Sequence, residues 1–257
     1  MTRWLVILFL TVARLTRADS AVDKLAPAGV AEFTAAYQAW DGARFGAVAE
    51  LFRQATTHAP ASATNFYWLG VAQFHRMLQI QNQPAPATNI SAAPAAMDAA
   101  IAALSRAVKL DPRHAESHAL LGTLYGMKIG NSTVRAAWFG PRLAKHRTKA
   151  TKLGMTNPRV QYLLGTCQFH TAKKPAALRE ALATLLKAEK LFEAEAKVAP
   201  GPLDPRWGFD SCLTFIGRTY ESLGQRDKAA EYYRKALAIH PVDHLALEGL
   251  ERVTDRK

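Results

Sequence analysis

Four segments of the chain repeat one order of apolar and small residues. Each has an apolar residue, then a glycine, then an aromatic side chain three or four positions later. These segments are residues 67–75, 120–125, 162–170 and 215–220. Residues 67–75 and 162–170 are identical at six of nine positions. A second apolar pattern of helical period follows each segment, most clearly through Ala229 and Tyr233 before Pro241. Tandem pairs of helices are therefore predicted, and no segment has the alternation of a strand.

This pattern resembles the tetratricopeptide repeat (TPR), in which W-x2-L-G-x2-Y is followed by A-x3-F and then by alanine and proline. Glycine allows two antiparallel helices to approach closely, and the proline ends the second helix because it lacks an N–H. The resemblance covers nearly the whole chain. It implies an all-α fold, a right-handed superhelical solenoid of antiparallel helix pairs. A generic helical bundle with coincidental Leu-Gly pairs is the alternative, which the number of tandem units disfavours.

The pattern divides one TPR-like helical domain, 19–257, into five repeat units and a capping helix. The units are predicted at 31–60, 66–112, 115–158, 159–199 and 207–241, with the capping helix at 243–257. An uncharged, proline-containing insertion at 81–96 in the second unit predicts a loop. The stretch 126–141 departs from the repeat, so the second helix of the third unit is predicted to be irregular.

The first eighteen residues differ from the rest. Arg3 precedes the ten-residue apolar run 4–13, and the segment 16–18 (TRA) has small residues at the positions of a cleavage site. This arrangement is typical of a secretory signal peptide. Ten residues form a helix of only about 15 Å, too short to span a bilayer. We predict a signal peptide at 1–18 and export to the periplasm or the medium. A buried first helix is the alternative, which the flanking arginines disfavour.

The charge of the chain changes this picture. There are 33 Lys and Arg against 21 Asp and Glu, a net charge of +12, which by itself suggests a nucleic-acid partner. Removal of 1–18 would leave +9. From Ser117 to Arg179 there are eleven basic residues and no acidic one, while the segments on either side are nearly neutral. The basicity is therefore local, and export disfavours nucleic acid as the partner.

A predicted basic stripe is the most concentrated part of this charge. It consists of Arg142, Lys145, Arg147, Lys149 and Lys152. All of them except Arg147 recur at the spacing i, i+3, i+7, i+10, which places them on one side of a helix. Such a surface attracts anionic polymers, lipid headgroups or an acidic protein. A solvated face of a long helix explains the same pattern.

The resemblance also implies a binding groove, because the first helices of TPR pairs line a concave surface. It places in that groove the following side chains: Tyr67, Phe74, His75, Arg159, Tyr162, Phe169, His170, Thr214, Arg218 and Glu221. Aromatic and basic side chains are common anchors of protein interfaces. Packing between repeats is the alternative explanation, and it applies to the phenylalanines more than to the tyrosines and histidines.

The sequence contains no recognisable catalytic motif. Metalloprotease, nucleotide-binding, esterase and calcium-loop patterns are absent. His114 and His118 share a helix face, but no third ligand completes a metal set. We predict no enzyme activity, no cofactor and no metal site. Cys167 and Cys212 fall on neighbouring first helices at different heights, so two buried free thiols are predicted rather than a disulfide.

These patterns favour a non-enzymatic, exported TPR scaffold that binds a protein or peptide through an aromatic and basic groove. The alternative is a binder of an anionic envelope polymer or membrane surface through the central basic residues. The sequence does not indicate an oligomeric state.

Overall fold

The computed structural model describes residues 24–82 and 92–255, and this part of the chain is entirely helical and turn structure, without strands. Its helices are α1 (Leu25–Ala39), α2 (Gly42–His58), α3 (Ala63–Gln81), α4 (Ala92–Leu110), α5 (Ala115–Ile129), α6 (Thr133–Leu153), α7 (Pro158–Thr171), α8 (Pro175–Ala196), α9 (Phe209–Ser222), α10 (Arg226–Ile239) and α11 (His244–Thr254). The predicted all-α class is confirmed. The signal peptide predicted at 1–18 lies outside the described residues.

Short polar side chains fix where several helices begin. An Asp41 carboxylate oxygen accepts a hydrogen bond from the Ala43 N–H at 2.8 Å at the start of α2. Asn157 accepts one from the Val160 N–H at 3.0 Å at the start of α7. Ser62, Ser132 and Asp243 cap α3, α6 and α11 in the same way. These caps satisfy N–H groups that the first turn of a helix leaves without partners.

The described helices form two compact units. The first comprises 24–37, 41–82 and 92–103, and the second comprises 38–40 and 104–255. The single domain over 19–257, with its repeat boundaries, stays a prediction.

Aromatic rings hold the first unit together. Phe33 of α1 lies 5.8 Å from Phe45 of α2 and 5.2 Å from Trp68 of α3, measured between ring centroids. Phe52 of α2 stacks on Trp68 at 5.7 Å. Large buried aromatic side chains such as these contribute much of the apolar area that a small helical unit can bury.

The second unit is built from helices that pack on their neighbours in the chain. α5 packs on α6, α7 on α8, α9 on α10, and α11 on α10. Leu185 and Phe192 of α8, Ile216 of α9 and Tyr233 of α10 are buried in one apolar cluster. Adjacent helices therefore pair in the way that the repeated sequence pattern predicts.

Glycine explains how closely the paired helices approach. A Cβ added to Gly165 of α7 would lie 2.7 Å from Leu185 Cγ of α8. A Cβ on Gly217 of α9 would lie 2.8 Å from the Tyr233 ring of α10. A larger residue at either position would clash with the facing helix, which accounts for the Leu-Gly pair at 164–165 and the Ile-Gly pair at 216–217. At Gly122 an added Cβ would make only an ordinary contact of 3.6 Å with the Arg147 backbone.

Two local predictions are wrong. The second helix of the third unit is not irregular: α6 runs unbroken for 21 residues with Pro141 inside it. Pro141 has no N–H to donate to the carbonyl of Ala137. Both residues are exposed, so water can hydrogen-bond to that carbonyl instead. The loop predicted at 81–96 is also too long, because α4 begins at Ala92 and buries Ala93 and Ala96.

We expect Gly165→Ala to destabilise the protein by about 1–3 kcal/mol, because its Cβ would overlap Leu185 and force a shift in the packed helices. Gly126→Ala in α5 is the matched control, since its Cβ would make an ordinary contact of 3.5 Å with Leu143. Urea denaturation measures both variants. Equal unfolding free energies for the two would contradict this account of the helix pairs.

Candidate binding site

The structure buries the three predicted groove residues of the first unit. Tyr67, Phe74 and His75 on α3 are all in the core. The His75 ring lies 5.1 Å from Phe33 and 5.3 Å from Tyr37, and its Nδ1 is 2.8 Å from the carbonyl of residue 71. Their assignment to an open groove is therefore wrong, since all three are buried, and for His75 it is the rings of α1 that cover it.

Arg159 is also buried, inside a network of ion pairs. Its Nε donates to Glu116 Oε1 at 2.9 Å, and its other guanidinium nitrogens pair with Glu195. Asn157 Nδ2 donates to the same Glu116 oxygen at 2.7 Å. Arg159 is only 3% exposed and Glu116 6%. This network ties α5, α7 and α8 together, so Arg159 is a structural residue rather than a contact for a ligand.

The other predicted groove residues of α7 and α9 come together around one ring, Phe215. We call this set the aromatic–basic cluster; its members are Tyr162, Phe169, His170, Phe215 and Arg218. The Arg218 guanidinium carbon lies 5.4 Å from the Phe169 ring centroid and 5.0 Å from that of Phe215. The Phe215 ring contacts Phe169 at 5.7 Å and His170 at 5.5 Å, both edge to face. Tyr162 lies 6.3 Å from it.

Arg218 is the cation of this cluster. Its side chain is half-buried, and it forms no ion pair with any residue in 24–82 or 92–255. His170 lies at the exposed edge of the cluster. The part of its ring that packs on the cluster loses water, and this desolvation together with the nearby Arg218 lowers the pKa of His170. Phe215 itself is buried in the core, so the cluster presents one fixed positive charge beside the partly buried ring of Phe169. Such a surface can bind a carboxylate and an adjacent apolar side chain together.

The two remaining groove predictions have partners inside the protein. Thr214 is buried and donates to Asp243 at 2.6 Å. Glu221 accepts hydrogen bonds from Arg252 at 2.9 Å and from the Tyr233 hydroxyl. Neither side chain is therefore presented to a ligand. Phe215, the central ring of the cluster, is the residue that the groove prediction missed, although it stands first in the repeated segment 215–220.

The predicted basic stripe lies on α6. Arg142, Lys145 and Lys152 are exposed and Lys149 is half-buried, and none of the four pairs with an acidic residue in the described part of the chain. Arg147 does not belong with them. It points to another side of α6, where it lines a small apolar pocket with Gly122 of α5 and Cys167 of α7. The stripe therefore has four members rather than five.

A pair of histidines joins α6 to α5. The two Nδ1 atoms of His118 and His146 lie 2.8 Å apart, and His118 Nε2 is 3.1 Å from the carbonyl of Pro112. Because Nε2 must donate to that carbonyl, His118 Nδ1 accepts the hydrogen bond that His146 Nδ1 donates. Burial lowers the pKa of His118, and burial together with His118, Lys145 and Lys149 lowers that of His146 to about 4.

Both cysteines are free thiols. Cys212 is buried, with Sγ 3.6 Å from the Leu185 carbonyl, and burial raises its pKa. Cys167 is half-buried and lines the small pocket, so the prediction of burial is correct for Cys212 alone. Within 24–82 and 92–255, no three or more His, Cys, Asp or Glu residues are grouped as metal ligands. In the same residues no helix is both long and apolar enough to cross a membrane.

Comparison with known proteins supports the repeat fold. A family model described as a tetratricopeptide repeat matches residues 211–243, which include α10 and most of α9. TTC0263, a thermophilic TPR protein from Thermus thermophilus, has a similar structure: the TM-score is 0.60 at 17% identity, over 90% of this chain and 96% of that one.

Two further TPR structures are more distant. YrrB, described as a TPR protein with an unusual peptide-binding site, gives a TM-score of 0.40 at 16% identity, over 80% of this chain and 82% of that one. MamA gives 0.40 at 16%, over 91% and 98%. No curated protein sequence matches the chain significantly. The predicted resemblance to TPR proteins is confirmed by the family match and the shared fold.

The histidine pair makes stability depend on pH. The folded chain holds the imidazoles neutral, while the unfolded chain takes up protons near the ordinary histidine pKa of about 6.5. Their contribution is therefore complete above about pH 6.5 and is lost as the pH falls toward the His146 pKa of about 4.

We expect the unfolding free energy to fall between about pH 7 and about pH 5, by up to about 1.4 kcal/mol per pH unit for each extra proton that the unfolded chain binds. His146→Gln keeps a donor for His118 and should reduce this slope. His58→Gln, at an exposed site in α2, is the matched control. Urea denaturation across the pH range measures all three proteins, and an unchanged slope for His146→Gln would refute the role of the pair.

Proposed function

We propose that this protein is a non-catalytic, exported scaffold that binds an acidic peptide segment of a partner protein at the aromatic–basic cluster. Helical repeats of the TPR type generally serve as scaffolds for protein–protein interaction, because stacked repeats present extended surfaces. The observation that carries the proposal is Arg218, a cation held over Phe169 and Phe215 that forms no salt bridge with a described acidic residue. Glu221, one turn along α9, feels its charge but is hydrogen-bonded to Arg252 and Tyr233.

The charge around the cluster favours an acidic ligand. α7 lies within the segment 117–179, which has no Asp or Glu, so it offers no carboxylate to repel one. Lys173 and Lys174 follow α7 directly and are exposed. A peptide carboxylate over Arg218, with a neighbouring apolar side chain against Phe169, would match both the charge and the ring faces.

Selection from a displayed random peptide library tests this function. We expect the wild-type protein to enrich acidic peptides that also contain apolar residues. Arg218→Glu should weaken binding of the selected peptides at least roughly tenfold, which corresponds to about 1.4 kcal/mol for a lost charge-assisted contact.

Arg234→Glu in α10 is the matched control, because Arg234 is exposed and its reversal changes the net charge equally. Circular dichroism checks that both variants keep their helices. If Arg218→Glu and Arg234→Glu bind the selected peptides alike, the cluster is not the binding site.

Export is a separate part of the proposal, supported by the basic and apolar order of residues 1–18. Expression in a bacterial host, followed by fractionation and mass spectrometry, should give an extracytoplasmic protein that begins at Asp19. Ala18→Arg should block the cleavage, because the peptidase requires a small residue at this position. A cytoplasmic protein that begins at Met1 would refute export and leave the peptide-binding proposal untouched.

A further inference from the structure

The outward face of α6 combines two large exposed apolar side chains with four cations. Val134 is 79% exposed and Trp138 74% exposed. At about 100° per residue, one arc of about 80° on the helix holds all of these side chains. In order along the helix they are Val134, Trp138, Arg142, Lys145, Lys149 and Lys152.

This face is not needed for the packing of α6. A different side of the helix packs on α5: Phe139 and His146 stack against Tyr125 at 6.0 and 5.9 Å, and Leu143 faces Gly126. Arg142 lies at the border of the two sides, with its guanidinium carbon 5.9 Å from the Phe139 ring centroid. Ala150 is fully buried. Since the helix already has a complete inner face, Val134 and Trp138 remain exposed without a structural role in the described chain.

The order of side chains along the face also has a direction. The apolar pair lies in the N-terminal third of α6, and the cations lie in the rest of the helix. From Val134 to Lys152 the whole face is about 27 Å long at the helical rise. A helix of this kind can lie tilted on a bilayer, with its apolar end deeper and its lysines level with the phosphates. Lysine and arginine extend their charged ends to that level while their stems stay in apolar surroundings.

We infer that this face of α6 binds the surface of an anionic lipid bilayer, with Trp138 and Val134 in the interface and the four cations on the headgroups. Tryptophan is favoured at membrane interfaces because its ring is apolar and its N–H is polar. Clustered cations add electrostatic attraction to anionic lipid. A soluble anionic polymer would account for the cations but would leave the exposed tryptophan without a contact.

Vesicle sedimentation with the full chain tests the inference. We expect binding to vesicles of equal parts phosphatidylglycerol and phosphatidylcholine, and little binding to phosphatidylcholine alone. Lys145→Gln/Lys149→Gln should weaken this binding roughly thirtyfold, since each lysine near an anionic surface contributes about a fivefold factor.

Lys173→Gln/Lys174→Gln is the matched control, because it removes the same charge from an exposed pair outside α6. An equal loss in both double variants would overturn the inference, since net charge alone would then explain the binding. Unchanged binding by Lys145→Gln/Lys149→Gln would overturn it too, and would point to another segment such as the apolar run 4–13.

Tryptophan fluorescence separates lipid from polymer. In a Trp4→Phe/Trp40→Phe background, vesicles of the same mixture should shift the emission to shorter wavelength, and Trp138→Phe should abolish the shift, because the two other remaining tryptophans, Trp68 and Trp207, are already buried. Binding to soluble polyphosphate together with no shift on vesicles would overturn the inference in favour of an anionic polymer. This test does not involve Arg218, so its failure is distinct from failure of the peptide site.

Discussion

The close approach of helices at glycine is the constraint on which the second unit depends. Gly165 lets Leu185 lie directly against α7, and this brings the end of α8 near the start of α7, where Glu195 reaches Arg159. Tyr233 lies between two glycines, Gly217 of α9 and Gly249 of α11, and so links three helices through one ring. Because α7 and α9 are fixed by these contacts, the side chains of the aromatic–basic cluster meet without any loop to position them.

The closely packed helices also contain a buried network of ion pairs around Arg159. Removing a charge from water is costly, and a buried pair is tolerated only with good geometry and further hydrogen bonds. Glu116 meets this requirement by accepting from both Arg159 and Asn157. Asn157 also caps α7. One asparagine therefore connects the start of a helix to the ion pair that joins the third predicted repeat to the fourth.

Helices and their pairing could be predicted from the sequence because both follow from local patterns. The 3.6-residue period, the glycines and the prolines act within one or two helices, and α9 and α10 match the expectation closely. The burial of particular side chains could not be predicted in this way. Arg159 is paired with Glu116, 43 residues earlier, and nothing in the segment around either residue indicates the other.

Residues 67–75 and 162–170 share a terminal histidine, but His75 is buried and His170 is exposed. The difference comes from α1, which covers His75 with aromatic rings, so the environment of the motif is set by a helix that the motif does not encode.

The two faces of α6 are coupled by charge. Lys145 and Lys149 belong to the outward basic face, and the same two cations lower the pKa of His146 on the inner face. They therefore help to keep the histidine pair neutral, which favours the contact between α6 and α5. Anions bound to these lysines would screen that effect and let His146 protonate more readily. By linkage, contact with an anionic surface would make the loss of stability at low pH smaller, because that loss begins near the ordinary histidine pKa of about 6.5 and ends at the folded-state pKa of His146, which would then lie higher. The outer face would thus influence how firmly the helix is held by its inner one.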